Sequence, residues 1–105
     1  RSGLTGFVAG VARTQKLAAN NVTINNLLPG AYDTDRLKGT MKGAADKTGQ
    51  PIEAIAEARK RTIPAQRFGH PQEFGDTCAF LCSAQAGYMT GQNILTDGGA
   101  YAGTF

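Results

Sequence analysis

The chain has 105 residues, enough for one small domain. Its composition, 41% hydrophobic and 18% charged, is that of a folded globular piece and excludes a disordered tail. A net charge of +3 with no long block of like charges, and no basic–aromatic pattern of an RNA-binding sheet, makes no case for nucleic acid. No apolar run approaches the roughly 18 residues of a membrane span. The first residues also lack the charged, apolar and cleavage regions of a signal peptide.

Residues 2–19 read as a helix, with Leu4, Phe7, Val8, Val11 and Gln15 at helical spacing. Gly3, Gly6 and Gly10 each weaken such a helix by about 1 kcal/mol relative to Ala, yet they also allow close approach, so a packed neighbour is expected. Asn20 and Asn21 end it, because Asn tolerates the left-handed cap position. Val22 to Leu28 then reads as a buried parallel strand, with β-branched residues at Val22, Thr23 and Ile24. Asn25 within it is either a polar residue bonded to nearby backbone or a brace for the turn that follows.

That turn, Pro29-Gly30-Ala31-Tyr32-Asp33-Thr34, is the centre of the functional reading. Proline brings no backbone donor and glycine accepts unusual dihedrals, so the strand must stop there. In parallel α/β sheets, ligands bind beyond the carboxyl ends of strands. Thr34 reads as the N-cap of the helix after Asp35, a position that Ser, Thr and Asp all serve.

Residues 35–62 form a helical excursion of the kind that serves as a lid over a substrate. A short helix is expected from Asp35 through Lys42, with Met41 as adaptable apolar surface and Gly43 and Gly49 as punctuation. Pro51 and Glu53 open a second helix, Ile52 to Arg61. Arg59-Lys60-Arg61 either complements the negative end of that helix or forms a docking patch for an acidic carrier protein. A turn then leads to a helix at Pro71, with Glu73 near its positive end and Phe74, Cys78, Leu81 and Cys82 as its buried face. His70, the one histidine, reads as a helix-entry residue rather than a catalytic one. Cys78 and Cys82 are four apart and, with a single histidine, lack the partners for a zinc site. They are expected to be free core thiols in a reducing, cytoplasmic setting. The closing stretch, Tyr88 to Gly99, reads as a short strand with turns around it at Gly91 and Gly98-Gly99. Two strands with helices between them imply parallel pairing and a right-handed connection. Two strands also leave edges open, so a covering partner is expected: a missing N-terminal half or further copies of the chain.

Three segments carry a resemblance. Pro29-Gly30 followed by Thr34, the turn Arg67-Phe68-Gly69-His70-Pro71-Gln72-Glu73, and Thr90-Gly91-Gln92 leading to Asp97-Gly98-Gly99 resemble, in order and spacing, the short-chain dehydrogenase/reductase family, most closely its 3-oxoacyl-carrier-protein reductases. Gln72 stands where the family turn, Arg-x-Gly-x-Pro-Glu-Glu, has its first Glu. The resemblance implies an α/β fold, the C-terminal portion of a Rossmann-type doubly wound parallel sheet, with residues 1–105 as one segment of a single domain. It implies hydride transfer between NAD or NADP and a carbonyl or hydroxyl substrate, such as a 3-oxoacyl thioester. The backbone around Pro29, Gly30 and Tyr32, and the side chain of Thr34, would meet the carboxamide end of the cofactor. It also implies a homo-oligomer, a dimer or tetramer.

The same resemblance places Arg1 on the family's catalytic Lys position, with the catalytic Tyr and Ser upstream. Arg keeps the charge but is planar and bulkier, so the replacement is not equivalent; a plain exposed end is the other reading. No Gly-rich phosphate loop follows a strand in these residues. Residues 1–105 alone are therefore expected to be inactive. The competing expectation is a non-catalytic self-association module or a degenerate family member.

Overall fold

The structure is a computed structural model and describes residues 2–103. The elements run α1 (Ser2–Ala12), α2 (Gln15–Ala18), β1 (Asn26–Pro29), α3 (Asp35–Thr48), α4 (Ile52–Arg61), α5 (Pro71–Leu81), a 3₁₀ turn (Ala84–Ala86) and β2 (Asn93–Thr96). β1 and β2 form a two-stranded sheet. The Asn26 N–H donates to the Gln92 carbonyl at 2.8 Å and the Gly30 N–H to the Thr96 carbonyl at 2.9 Å. Both partners advance along the chain together, so the strands are parallel, as expected.

The helix expected over 2–19 is in fact two. Thr14 is extended, and its hydroxyl and N–H both donate to the Val11 carbonyl, at 2.9 and 3.1 Å. A threonine that offers the backbone a local alternative interrupts the ladder. The end at Asn20-Asn21 is as expected, with Asn21 at φ 60. The strand starts later than Val22 because side chains replace its first ladder bonds. Asn25 Nδ2 donates to the Met89 carbonyl at 3.0 Å, its Oδ1 accepts from the Gln92 N–H at 3.1 Å, and the Thr90 hydroxyl accepts from the Ile24 N–H at 3.2 Å. Asn25 thus fastens the approach to β2, and does not brace the turn after Pro29.

α3 extends past Lys42 to Thr48, straight through Gly43. Met41 is buried rather than surface, in a cluster with Ile55, Ile63 and Phe68 against which Ala44, Ala45, Ile52 and Ala56 pack. That burial outweighs the roughly 1 kcal/mol a mid-helix glycine costs. Gly49, at φ 71, ends α3 with its N–H on the Ala45 carbonyl. α4 has the bounds read from the sequence. Its last carbonyls are met by Thr62, Ile63 and Gln66.

The chain divides into two compact units. The first comprises residues 2–28 and 75–95. It buries Val8, Ala12 and Ala86 but leaves Leu4 62% and Phe7 67% exposed. Cys78 and Cys82 are free thiols as expected, but both are exposed, and the expected core face of α5 is not a core. Helical periodicity identifies which face is apolar; it does not supply what covers it. The second unit comprises Pro29–Phe74 and residues 96–103, and contains the Met41 cluster. No helix among the described residues is long and apolar enough to cross a membrane.

Candidate functional site

Four of the five sequence-predicted site residues lie on one segment of the second unit. Pro29, Gly30 and Thr34 are exposed, and Tyr32 is half-buried. Arg1 lies outside the described residues.

The segment leaves β1 at Gly30, where the chain passes very close to Asp97. A Cβ on Gly30 would stand 2.5 Å from the Asp97 Cβ and 2.6 Å from its Cα, so no larger residue fits without moving backbone. Asp97 is itself fixed, because its carboxylate accepts from the N–H groups of Gly99 at 3.0 Å and Tyr101 at 2.7 Å. Beyond Gly30 the segment bridges in parallel to Gly69. The Gly69 N–H donates to the Ala31 carbonyl at 2.9 Å, and the Asp33 N–H donates to the Gly69 carbonyl at 2.8 Å. The Tyr32 ring lies where a Gly69 side chain would begin, 2.6 Å from an ideal Cβ, and meets Phe74 edge-on at 5.5 Å.

These bonds leave a defined remainder. The Ala31 and Tyr32 N–H groups and the Gly30 carbonyl have no partner among the described residues. Thr34 is the N-cap of α3, its hydroxyl oxygen accepting from the Leu37 N–H at 3.3 Å. Its O–H proton donates to no described partner, so capping does not use up the side chain. Two backbone donors, one carbonyl and one hydroxyl proton are a set that a carboxamide can satisfy, since an amide offers an acceptor oxygen and a donor NH₂.

The rail that holds Gly69 is built at the start of α5. Arg67 grips Glu73 with both guanidinium nitrogens, at 2.8 and 2.9 Å, and also donates to the Phe68 carbonyl at 3.1 Å. The Glu73 carboxylate accepts the His70 N–H at 2.8 Å, the glutamate half of a capping box, while the Glu73 N–H donates to the His70 carbonyl in the backbone turn. The Arg67 guanidinium, followed by the His70 N–H, pulls the Glu73 carboxyl from an ordinary 4.5 down to about 2. His70 therefore serves helix entry through its backbone. The sequence showed Glu73 at the head of the helix, but not its bond to Arg67. The Gly30–Asp97 and Tyr32–Gly69 approaches also had no sequence signal beyond the glycines themselves. Among the described residues no group of three or more His, Cys, Asp or Glu gathers to hold a metal.

Comparison with known proteins places the chain in a family. Residues 1–101 match the family model described as enoyl-(acyl carrier protein) reductase. The chain belongs to the short-chain dehydrogenase/reductase family, and its fold is part of that family's Rossmann-type α/β sheet. It is 36% identical over 101 residues to a 3-oxoacyl-[acyl-carrier-protein] reductase of Aquifex aeolicus (strain VF5), covering 96% of this chain and 36% of that protein. It is 34% identical over 103 residues to an acetoacetyl-CoA reductase of Cupriavidus necator, covering 98% of this chain and 37% of that one. Among solved structures it resembles YwfH, an NADPH-dependent reductase involved in bacilysin biosynthesis, with a TM-score of 0.85 and 31% identity over 98% of this chain and 38% of that one. The chain thus spans little more than a third of the length of these relatives.

Proposed function

We propose that this chain is the C-terminal segment of an NAD(P)-dependent oxidoreductase that acts on a carbonyl or hydroxyl substrate of the 3-oxoacyl thioester kind. The observation that carries the reading is the Pro29–Thr34 segment, an exposed break at the carboxyl end of a parallel strand whose unpartnered donors and acceptor match a carboxamide. The activities named for the relatives, reduction of 3-oxoacyl carrier protein and of acetoacetyl-CoA, support this substrate class.

A bound dinucleotide would supply the hydride. The chain's own residues hold the ring that carries it. The residues that would hold its carboxamide are Gly30, through the carbonyl, and Ala31 and Tyr32, through their N–H groups. Thr34 would donate its O–H from the N-cap of α3 while still capping that helix. Pro29 ends the strand so that these groups are not consumed by pairing. Residues 35–62 act as the substrate lid, and Arg1 occupies the family's lysine position.

The test is turnover. The enzyme made from its complete reading frame should oxidise NADPH or NADH in the presence of an acetoacetyl thioester, and residues 1–105 expressed alone should not. No turnover by the complete enzyme with any 3-oxoacyl thioester would remove the substrate class, and no dinucleotide binding would remove the reading.

A second reading, self-association, draws on α1. Leu4 and Phe7 are largely exposed, and Gly3, Gly6 and Gly10 have open space where a side chain would begin. Light scattering of residues 1–105 decides it: a clean monomer argues against assembly.

A further inference from the structure

The segment assigned to the nicotinamide end does not hold its own shape. Between Ala31 and Asp33 its two backbone hydrogen bonds to described residues beyond the turn both go to one residue, Gly69, and the one ion pair among those residues, Asp33 with Lys38, is long at 4.0 Å. Gly69 in turn is enclosed by a single clasp. On one side the Phe68 carbonyl accepts from Arg67, on the other the His70 N–H donates to Glu73, and Arg67 and Glu73 close on each other through two parallel hydrogen bonds. The backbone groups flanking Gly69 are therefore tied to the ion pair, while Gly69's own N–H and carbonyl are tied to Ala31 and Asp33. A third link runs through rings, because Tyr32 covers Gly69 and meets Phe74, the neighbour of Glu73 in sequence.

We infer that Arg67 and Glu73 are positioning residues for the nicotinamide end of the dinucleotide, acting through Gly69 and Tyr32. This rests on the assignment of residues 29–34 to that end. The pair is half-exposed at both side chains, and such surface pairs contribute little to global stability. Its bidentate geometry instead fixes direction, and a planar guanidinium does so where an ammonium cannot. Loss of the clasp lets Gly69 shift, and the Ala31 and Tyr32 N–H groups shift with it. On this assignment only the nicotinamide half of the dinucleotide depends on the rail.

The experiment compares two ligands on the complete enzyme: the reduced dinucleotide that it binds, and the corresponding ADP-ribose, which lacks the nicotinamide. Arg67→Ala should raise the dissociation constant of the dinucleotide roughly ten-fold, the scale of one well-placed hydrogen bond lost. The ADP-ribose constant should stay unchanged. Arg67→Lys should recover only part of the loss, and Glu73→Gln, isosteric and still able to accept from His70, should fall between. Equal weakening of both ligands, or of neither, overturns the inference. If Arg67→Ala does not fold, Glu73→Gln decides by the same criterion, and a non-folding Glu73→Gln overturns the inference too, since the pair would then be a structural prop. Absence of dinucleotide binding in the unsubstituted enzyme sinks the functional reading itself, a separate failure.

Discussion

The two compact units differ in how they bury apolar surface. The second has a core of large side chains, Met41, Ile55, Ile63 and Phe68, drawn from two helices and the turn after them. Among its described hydrophobic residues the first buries only Val8, Ala12 and Ala86, and leaves Leu4, Phe7, Phe80 and Tyr88 exposed. The lesson is that the segment proposed to hold the nicotinamide sits in the unit with the larger buried core. The other unit presents apolar helix faces that require something to cover them.

The largest effect should come from that core. Phe68→Ala removes a buried ring over which Lys60 sits at 5.5 Å, and should cost about 3–5 kcal/mol in chemical denaturation. Phe7→Ala in the first unit should change stability by less than about 0.5 kcal/mol, since the side chain is mostly exposed. If the two substitutions cost the same, the contrast between the units is wrong. Next comes Gly30→Ala, whose added methyl meets Asp97 backbone; it should destabilise by about 1–3 kcal/mol and weaken dinucleotide binding by the complete enzyme. Unaltered stability and affinity would mean that the approach of Gly30 to Asp97 is not tight. Thr34→Ala removes the cap of α3 and should cost about 1 kcal/mol, with Thr34→Ser restoring it. If the hydroxyl also meets the cofactor, Thr34→Ser recovers affinity as well as stability; recovery of stability alone would leave Thr34 a cap only.

The smallest effect is one of acidity. The Glu73 carboxyl is held at about 2 against an ordinary 4.5, so its folded pKa is depressed. The clasp's contribution is therefore complete above about pH 4.5 and is lost as pH falls through about 2. Melting curves of the natural protein and Glu73→Gln should draw together across that window. Curves that keep a constant separation from pH 5 to pH 2 would show that the clasp does not matter in the folded state.

Much of this was legible along the chain. Pro29 and Gly30 ended the strand, Asn21 took the left-handed cap, Pro51 and Pro71 preceded or opened helices, and Thr34 was recognisable as a cap. These are local choices, made by missing donors, permitted dihedrals and short polar side chains, and a sequence states them directly. Other features were not legible, for definite reasons. The break at Thr14 depended on a hydroxyl competing for the Val11 carbonyl, and the length of α3 depended on Met41 finding Ile55 and Phe68. The late start of β1 depended on Asn25 bonding across to Met89 and Gln92.

The sequence by itself determined the family, the parallel strands, the helix bounds of 52–61 and the segment on which the functional reading rests, because each is written in neighbouring residues or in fixed spacings. Tertiary structure alone decided that Gly30 lies against Asp97, that Tyr32 covers Gly69, and that Arg67 reaches Glu73. It also decided that Cys78 and Cys82 are exposed. Periodicity names the apolar side of a helix and the residues that turn a chain, but contact between distant residues follows from packing, which no local pattern encodes.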